Sequence, residues 1–309
     1  MHFGVHLSNR GPEVSRDDIR VLAQRADDLG YHSVWVSDHV VIPTQYTSVY
    51  PYGDLFTVAA MENYFEPLIT MGYLAGCTER VLIGTSVLVL PYRPAVLSAK
   101  MIATIDAVSK GRVILGIGVG WFEEEFEALQ SPPFAERGDV SDEQIHVFKK
   151  LWTEPESSFE GKHYRFATIR CAPKPTQRPH PPIWVGGHGK RALRRAAELG
   201  DGWHVVRMAL EELSENIGRV RAQLQIAGRQ DAPFTISYRC NLNVQDAEEP
   251  GRKEWDLFAP PAVISSDLRR LSALGVEHVV FDLQTRLPMV ERLRTIERFA
   301  KEVMPQFPS

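Results

Sequence analysis

The run VLIGTSVLVLPYRPAVLSAKMIATIDAVSKGRVILGIGVG, from Val81 to Gly120, decides how this chain folds. It opens on a β-branched strand, crosses a helical pattern and returns on a second apolar strand. Continuous Val/Ile/Leu strands belong to a parallel sheet buried on both faces. A parallel return needs a crossover of a dozen or more residues, usually a helix. Pro94 suits the first turn of that helix and Gly111 the residue just past its end. Two details exceed what a scaffold needs. Thr85-Ser86-Val87 breaks the first strand with small polar groups. Gly116, Gly118 and Gly120 strip alternate side chains from the second, which predicts that something approaches the backbone there.

Working outward, the same alternation covers the chain. Phe3–Leu7 reads as a strand, 17–29 as a helix closed by Gly30, and SVWVSDH (33–39) as the next strand. Residues 40–64 have no period and carry Pro43, Pro51, Tyr46, Tyr50 and Tyr52, as a binding loop or lid would. A helix over 68–75 leads into the central unit. Beyond it come helices over 123–129 and 141–152, then an insertion over 153–182 with a hairpin at SFEGKHYRF. The strand IWVGG enters the helix KRALRRAAELG. DGWHVV is a strand, 213–226 a helix and FTISYRCNLNV a strand. Residues 245–262 read as a polar surface loop. A helix over 268–274, the strand HVVFDL and a helix over 290–303 finish the count. Eight strands alternating with helices give an α/β fold, a (β/α)8 TIM barrel with insertions, expected as one domain over 1–309. The GxGxG at Gly116 is not the dinucleotide GxGxxG, so an open doubly wound sheet suits the chain less well.

Composition narrows the function. With 309 residues, 44% hydrophobic, 24% charged and a net charge of -4, the chain has no electrostatic case for nucleic acid. No apolar run approaches a membrane span, and MHFGVHLSNRG has no signal-peptide pattern. Cys77, Cys171 and Cys240 fall in no metal spacing, and an odd, scattered set predicts a reducing, cytoplasmic setting. No HExxH or paired His/carboxylate spacing predicts a metal.

Barrel active sites lie at the C-terminal ends of the strands. Those ends gather His6, Asp38-His39, Ser86-Val87, Gly118-Val119-Gly120, Gly186-Gly187-His188-Gly189, His204 and Asp282. For His6 and His204 the alternative to catalysis is a hydrogen-bonded rim position. His39 stands out because Asp38 beside it offers a carboxylate to orient it. The turn GGHGKR is an anion site by physics: bare backbone N–H groups, a helix start, and Lys190 and Arg191. Arg194 and Arg195 read as a solvated helix face.

In order, SVWVSDH, IGTSVLVLPYRPAVLSAK, GRVILGIGVGWFEEEF, SFEGKHYRF, PPIWVGG, AAELGDGW and LGVEHVVFDL make the chain resemble the luciferase-like flavin and deazaflavin oxidoreductase superfamily. The resemblance is closest to its branch using coenzyme F420. It implies a (β/α)8 barrel, usually homodimeric, with a non-prolyl cis peptide at Ser86–Val87. It also implies a cofactor contact at Asp38 and the catalytic histidine at His39. Gly118, Val119 and Gly120 would line the cofactor ring, Gly186, Gly187, His188 and Gly189 would hold a phosphate, and Lys190 and Arg191 would meet the anionic F420 tail. One position departs. Where related sugar-phosphate dehydrogenases place a glutamate after the Gly-rich strand, this chain has Trp121, and Glu123, Glu124 or Glu125 can substitute only if the helix start bends inward. An apolar substrate pocket is expected around His6, Trp121, Trp203 and His204, with Phe122 and Tyr46 lining it or packing the insertions. The expected activity is hydride transfer between reduced F420 and a small organic substrate. The alternatives are a monooxygenase using reduced flavin mononucleotide (FMN) and oxygen, and a non-catalytic flavin-binding barrel. The apolar content of 95–108, with 68–78, predicts the dimer face.

Overall fold

The strands of the barrel turn apolar side chains toward the helices, and several turn them inward as well. Val34 and Trp35 of β2 (Ser33–Val36) are both fully buried, one among helices and the other inside the barrel. The structure, a computed structural model, describes residues 1–11, 14–51, 63–285 and 287–308. Eight parallel strands close on themselves. In order around the barrel they are β1 (His2–His6), β2, β3 (Leu82–Thr85), β5 (Val113–Gly118), β8 (Ile183–Gly186), β9 (Gly202–Val206), β10 (Thr235–Val244) and β12 (His278–Leu283). β12 returns to β1 with His6 opposite Asp282. Two short strands extend this sheet: β4 (Leu88–Val89) on β5, and β11 (Asp256–Ala259) on β10. The hairpin expected in SFEGKHYRF forms from β6 (Ser157–Glu160) and β7 (Arg165–Ile169).

Helices α1 (Arg16–Asp28), α2 (Pro67–Cys77), α3 (Ala95–Val108), α5 (Arg137–Thr153), α6 (Lys190–Leu199), α7 (Leu210–Ile226), α8 (Pro261–Leu274) and α9 (Met289–Glu302) surround the strands. α4 (Glu123–Ala128) is a short helix between β5 and α5. α1 is started by Ser15, whose hydroxyl accepts from the Asp18 N–H at 3.1 Å, with Asp17 and Asp18 at the positive end of the dipole. The main core lies between strands and helices. A smaller one fills the barrel, where Trp35 and Trp184 stack with centroids 5.4 Å apart. Trp35 fits because Gly84 faces it: a Cβ there would come within 2.4 Å of the indole.

Some expectations shift. Pro94 is the N-cap of α3 rather than a first-turn residue, because its ψ of 133° is extended. Residues 245–262 are not all loop. They hold β11, whose Leu257, Phe258 and Ala259 are buried, and the first residues of α8. Four residues between acids and prolines are too few to show a period, and only pairing with β10 makes them a strand. Of the 40–64 insertion, residues 52–62, Tyr52 included, lie outside the described residues. Among those described, no helix is long and apolar enough to cross a membrane.

Candidate active site

The polar break in the central unit is a bulge. Gly84 pairs with Ile114 and Leu88 with Ile117, so Thr85, Ser86 and Val87 face only Leu115 and Gly116. One extra residue on one strand is a β-bulge, and its Ser86–Val87 peptide is cis. The alternating glycines of β5 are the other half of this feature. A Cβ on Gly116 would stand 1.9 Å from the Thr85 carbonyl oxygen, and one on Gly118 2.5 Å from Val87 Cγ2. Gly186 of β8 meets Val87 from the other side, where a Cβ would stand 2.9 Å from Cγ1. What approaches the glycines is the chain's own bulge. Gly118 therefore packs on Val87, and Gly120 (φ +86°) packs on Phe126 and Val89.

The bulge forms one wall of a cleft at the C-terminal mouth of the barrel. Val87, Gly186, Gly187 and Val206 line one part of it, with His39, Trp121, Tyr50 and Tyr64 on another. Gly118, Val119 and Gly120 are not among the described residues lining it.

His39, 6% exposed, reaches the cleft from the turn after β2. Its Nδ1 lies 2.5 Å from Oε2 of Glu125, a carboxylate with no exposed surface. Glu125 also accepts from Tyr92 Oη at 2.8 Å and from the N–H groups of Val40 and Val41 at 2.7 and 3.2 Å. The start of α4 thus does bend inward, and it delivers Glu125. Ringed by donors, this carboxylate accepts a hydrogen bond from Nδ1–H, which makes Nε2 the basic nitrogen of the neutral ring. Asp38 has another partner. Arg93 grips its carboxylate with two bonds of 2.8 Å and the Val89 N–H adds a third at 2.8 Å. Arg93 continues to Glu66 at 2.7 Å. Asp38 borders the cleft, but its charge anchors β4 beside the bulge, and Glu125 is the carboxylate that orients His39.

Ser86 is clamped from the opposite side of the barrel. Arg239 donates to the Ser86 carbonyl and hydroxyl, both at 2.9 Å, and forms a two-pronged pair with Asp282 at 2.9 and 2.6 Å. Two-pronged Arg–carboxylate pairs fix geometry as well as charge. Arg239 holds Asp282 well below the usual carboxylate range against the opposing effect of burial. His6 bridges Asp282 (3.2 Å) and Ser37 (2.8 Å), and burial, reinforced by Arg239, lowers it to about 4. His204 donates or accepts at Ser86 Oγ, 2.7 Å away, and burial, again reinforced by Arg239, lowers it to about 3. At neutral pH both rings are uncharged, and both brace the bulge, His204 directly and His6 through Ser37.

Trp203 does not reach the pocket: it is fully buried and its Nε1 donates to the Gly187 carbonyl at 2.6 Å, holding the Gly-rich turn. Trp121 lines the cleft, stacked 4.7 Å from Phe122 and edge-on to Tyr50 at 5.2 Å. Phe122 is buried and packs with Tyr46 of the insertion at 5.3 Å. Past the turn, Gly189 caps α6, and His188, Lys190 and Arg191 are exposed. The first N–H groups of a helix have no partner within it and favour anions. Arg195 overturns the solvated-face expectation: it is 4% exposed and paired with Asp142 and the Gly138 carbonyl. Arg194 is half-exposed.

Sequence reasoning missed Tyr92, Arg93 and Arg239, and it offered Glu125 only as one of three glutamates. An arginine inside the apolar strand TISYRCNLNV is a signal in itself, since a buried charge needs a partner. Nothing marks Glu125 among three consecutive glutamates at a helix start.

Comparison with known proteins shows what the chain is similar to. The model of a family described as luciferase-like monooxygenase matches residues 1–272. An uncharacterized protein of Mycobacterium tuberculosis is 36% identical over 92% of this chain and 93% of its own. An F420-dependent glucose-6-phosphate dehydrogenase of Amycolatopsis mediterranei is 27% identical over 94% of both chains. An FMNH2-dependent dimethylsulfone monooxygenase of Pseudomonas putida is 32% identical over 62% of this chain and 52% of its own.

Proposed function

Because the chain belongs to the luciferase-like monooxygenase family, we infer that it is an F420-dependent oxidoreductase moving hydride between reduced deazaflavin and a small organic substrate. The observation that carries this reading is the His39–Glu125 pair, opening onto a cleft walled by the Ser86–Val87 bulge. The residues fit such a group. Val87 offers an apolar face for a flat ring, Gly187 and Gly189 leave the turn without side chains, and a Cβ on Gly189 would meet nothing within 4 Å. When bound, the reduced deazaflavin supplies the hydride. The protein's own work is to hold the ring against the bulge and to move one proton. His39 Nε2 gives or takes that proton while Glu125 keeps Nδ1 protonated and the ring in place. Trp121, Tyr50 and Tyr64 make the substrate side aromatic, which suits an apolar substrate better than a sugar phosphate.

F420 is favoured over FMN by the relative named as F420-dependent, which matches almost end to end, and by the exposed Lys190 and Arg191 beyond the Gly-rich turn. The deciding experiment is titration with F420 and with FMN, oxidised and reduced, followed by fluorescence. F420 should bind more tightly. Tighter FMN binding, with oxygen consumed by the reduced complex, would replace this reading with the monooxygenase. Tight binding without turnover of alcohols, aldehydes or ketones would favour the carrier barrel.

Lys190→Ala with Arg191→Ala should weaken F420 about tenfold or more and leave FMN, which has no such tail, nearly unchanged. Charge-assisted contacts to anions contribute roughly 1.5–3 kcal/mol each when well formed. Exposed ones are screened, so raising the salt should erode wild-type affinity for F420 in the same direction. Equal F420 binding by wild type and double variant would remove the tail site.

A homodimer through α2 and α3 is proposed on Ile69, Leu97 and Val108, which stay 67%, 53% and 61% exposed on this adjacent pair of helices. Sedimentation should give a dimer at micromolar concentration and a monomer for Ile69→Glu with Leu97→Glu. A monomeric wild type would end the proposal. The three unpaired cysteines support a reducing cytoplasmic location.

A further inference from the structure

Beneath the bulge a chain of hydrogen bonds runs the length of the barrel interior. Trp35 Nε1 donates to Ser33 Oγ at 2.8 Å, and Ser33 Oγ lies 2.8 Å from His278 Nε2. His278 Nδ1 is 3.1 Å from Ser237 Oγ, which is 2.9 Å from His204 Nδ1. His204 Nε2 then meets Ser86 Oγ at 2.7 Å. Ser33, Trp35, Ser237, His204 and His278 are at most 3% exposed. We propose that this chain has one direction, and that it turns the Ser86 hydroxyl into a fixed hydrogen-bond donor aimed into the cleft, for an acceptor atom on the edge of a bound flavin or deazaflavin ring.

The direction follows from counting protons. An indole N–H can only donate, so Ser33 accepts from Trp35, and among the described residues its own proton has one acceptor, His278 Nε2. A neutral His278 then carries its proton on Nδ1 and gives it to Ser237. Ser237 gives its own to His204 Nδ1, and His204 gives its Nε2 proton to Ser86. Ser86 Oγ now accepts from both His204 and Arg239, so its hydroxyl proton is left for the cleft that Ser86 borders. Running the chain backwards would strand the Ser33 proton in a fully buried site, whereas the forward order leaves only Ser86's proton over, where water or a ligand can accept it. Stranding a buried donor is the costlier outcome. Both rings must be neutral for this count. Burial lowers His204 to about 3 and His278 well below its ordinary value, so they are.

The proposal rests on the flavin-like cofactor for its ligand but not for its direction. Nitrogen-15 spectra of histidine-labelled protein without cofactor should show His204 protonated on Nε2 and His278 on Nδ1, opposite tautomers in one chain. His204 protonated on Nδ1 would overturn the proposal outright. For the ligand, Ser86→Ala should weaken F420 binding roughly three- to tenfold, the range of one neutral hydrogen bond. Ser33→Ala, at the far end of the barrel, should produce a loss in the same direction, because nothing then holds the order of the protons. Combining the two should cost no more than Ser86→Ala alone. Additive losses would make Ser33 merely structural and refute the coupling. If FMN binds and F420 does not, the cofactor reading fails, and the same cycle run with FMN still tests the donor.

Discussion

His39→Asn should lower turnover roughly 10²- to 10⁴-fold, the usual contribution of one positioned proton-transfer group, while the dissociation constant of the cofactor changes little. The split follows from the site. The bulge and the Gly-rich turn are built from Val87, Ser86, Gly186 and Gly187 and owe none of their bonds to His39. Glu125→Gln is the sharper probe. The Val40 and Val41 N–H groups need an acceptor at Oε1, so the amide oxygen stays there and its NH2 faces His39. Nδ1 must then accept, which moves the imidazole proton to Nε2. The base is lost, and the Nε2–H of a neutral ring is too weak an acid to stand in for the imidazolium, so turnover should fall in both directions, about as far as in His39→Asn, with cofactor affinity nearly unchanged. Turnover close to the wild-type level would mean that Glu125 only packs.

Stability should fall steeply on acidification from neutral pH. His6, His204 and His278 are buried with exposures of 5%, 3% and 1%, and burial lowers all three, His6 to about 4 and His204 to about 3. In the unfolded chain they titrate near their ordinary value of about 6.5. Between that value and about 4 the unfolded state binds three protons that the folded state refuses. The slope of unfolding free energy with pH is therefore positive, about 1.4 kcal/mol per pH unit for each histidine. Two pH units then remove a large part of the roughly 5–15 kcal/mol typical of a domain. Asp282 acts lower still: its depressed value favours the folded state above about 4 and is lost below it. Urea unfolding at intervals from pH 7 to 4.5 should show the fall, and His6→Gln should flatten its slope by about one proton. A flat profile to pH 5 would mean that these rings take up protons in the folded state.

Much of the scaffold was legible because a parallel barrel repeats one local message, a buried strand and then an amphipathic helix. Val81–Gly120 states it twice over. The bulge was legible too, since Thr85-Ser86 interrupts an apolar strand and the glycines opposite make sense only if something fills their space. What filled it was not legible. A bare backbone invites a ligand or another piece of chain equally, and register across β3, β4 and β5 decides between them. The partners of the site were the hardest to see. Asp38 adjoins His39 in sequence, yet neighbours on a chain leaving a strand point apart. Glu125 reaches the ring across 86 positions, and Arg239 reaches Ser86 across 153. Such pairings follow from barrel closure rather than from any local pattern.

That closure also sets a timetable for synthesis. The first strand finds its final neighbour only when β12 emerges, since His2 pairs with His278 and His6 with Asp282. Arg239 and Asp282, which grip the bulge, arrive in the last quarter of the chain. At roughly 5–20 residues per second, the earliest strand waits on the order of ten seconds to a minute with one edge open. A ribosome-bound fragment ending before β10 therefore carries His39, Glu125 and the bulge residues without their clamp. Nascent chains should gain a binding-competent cleft abruptly, once β12 has emerged, rather than by stages.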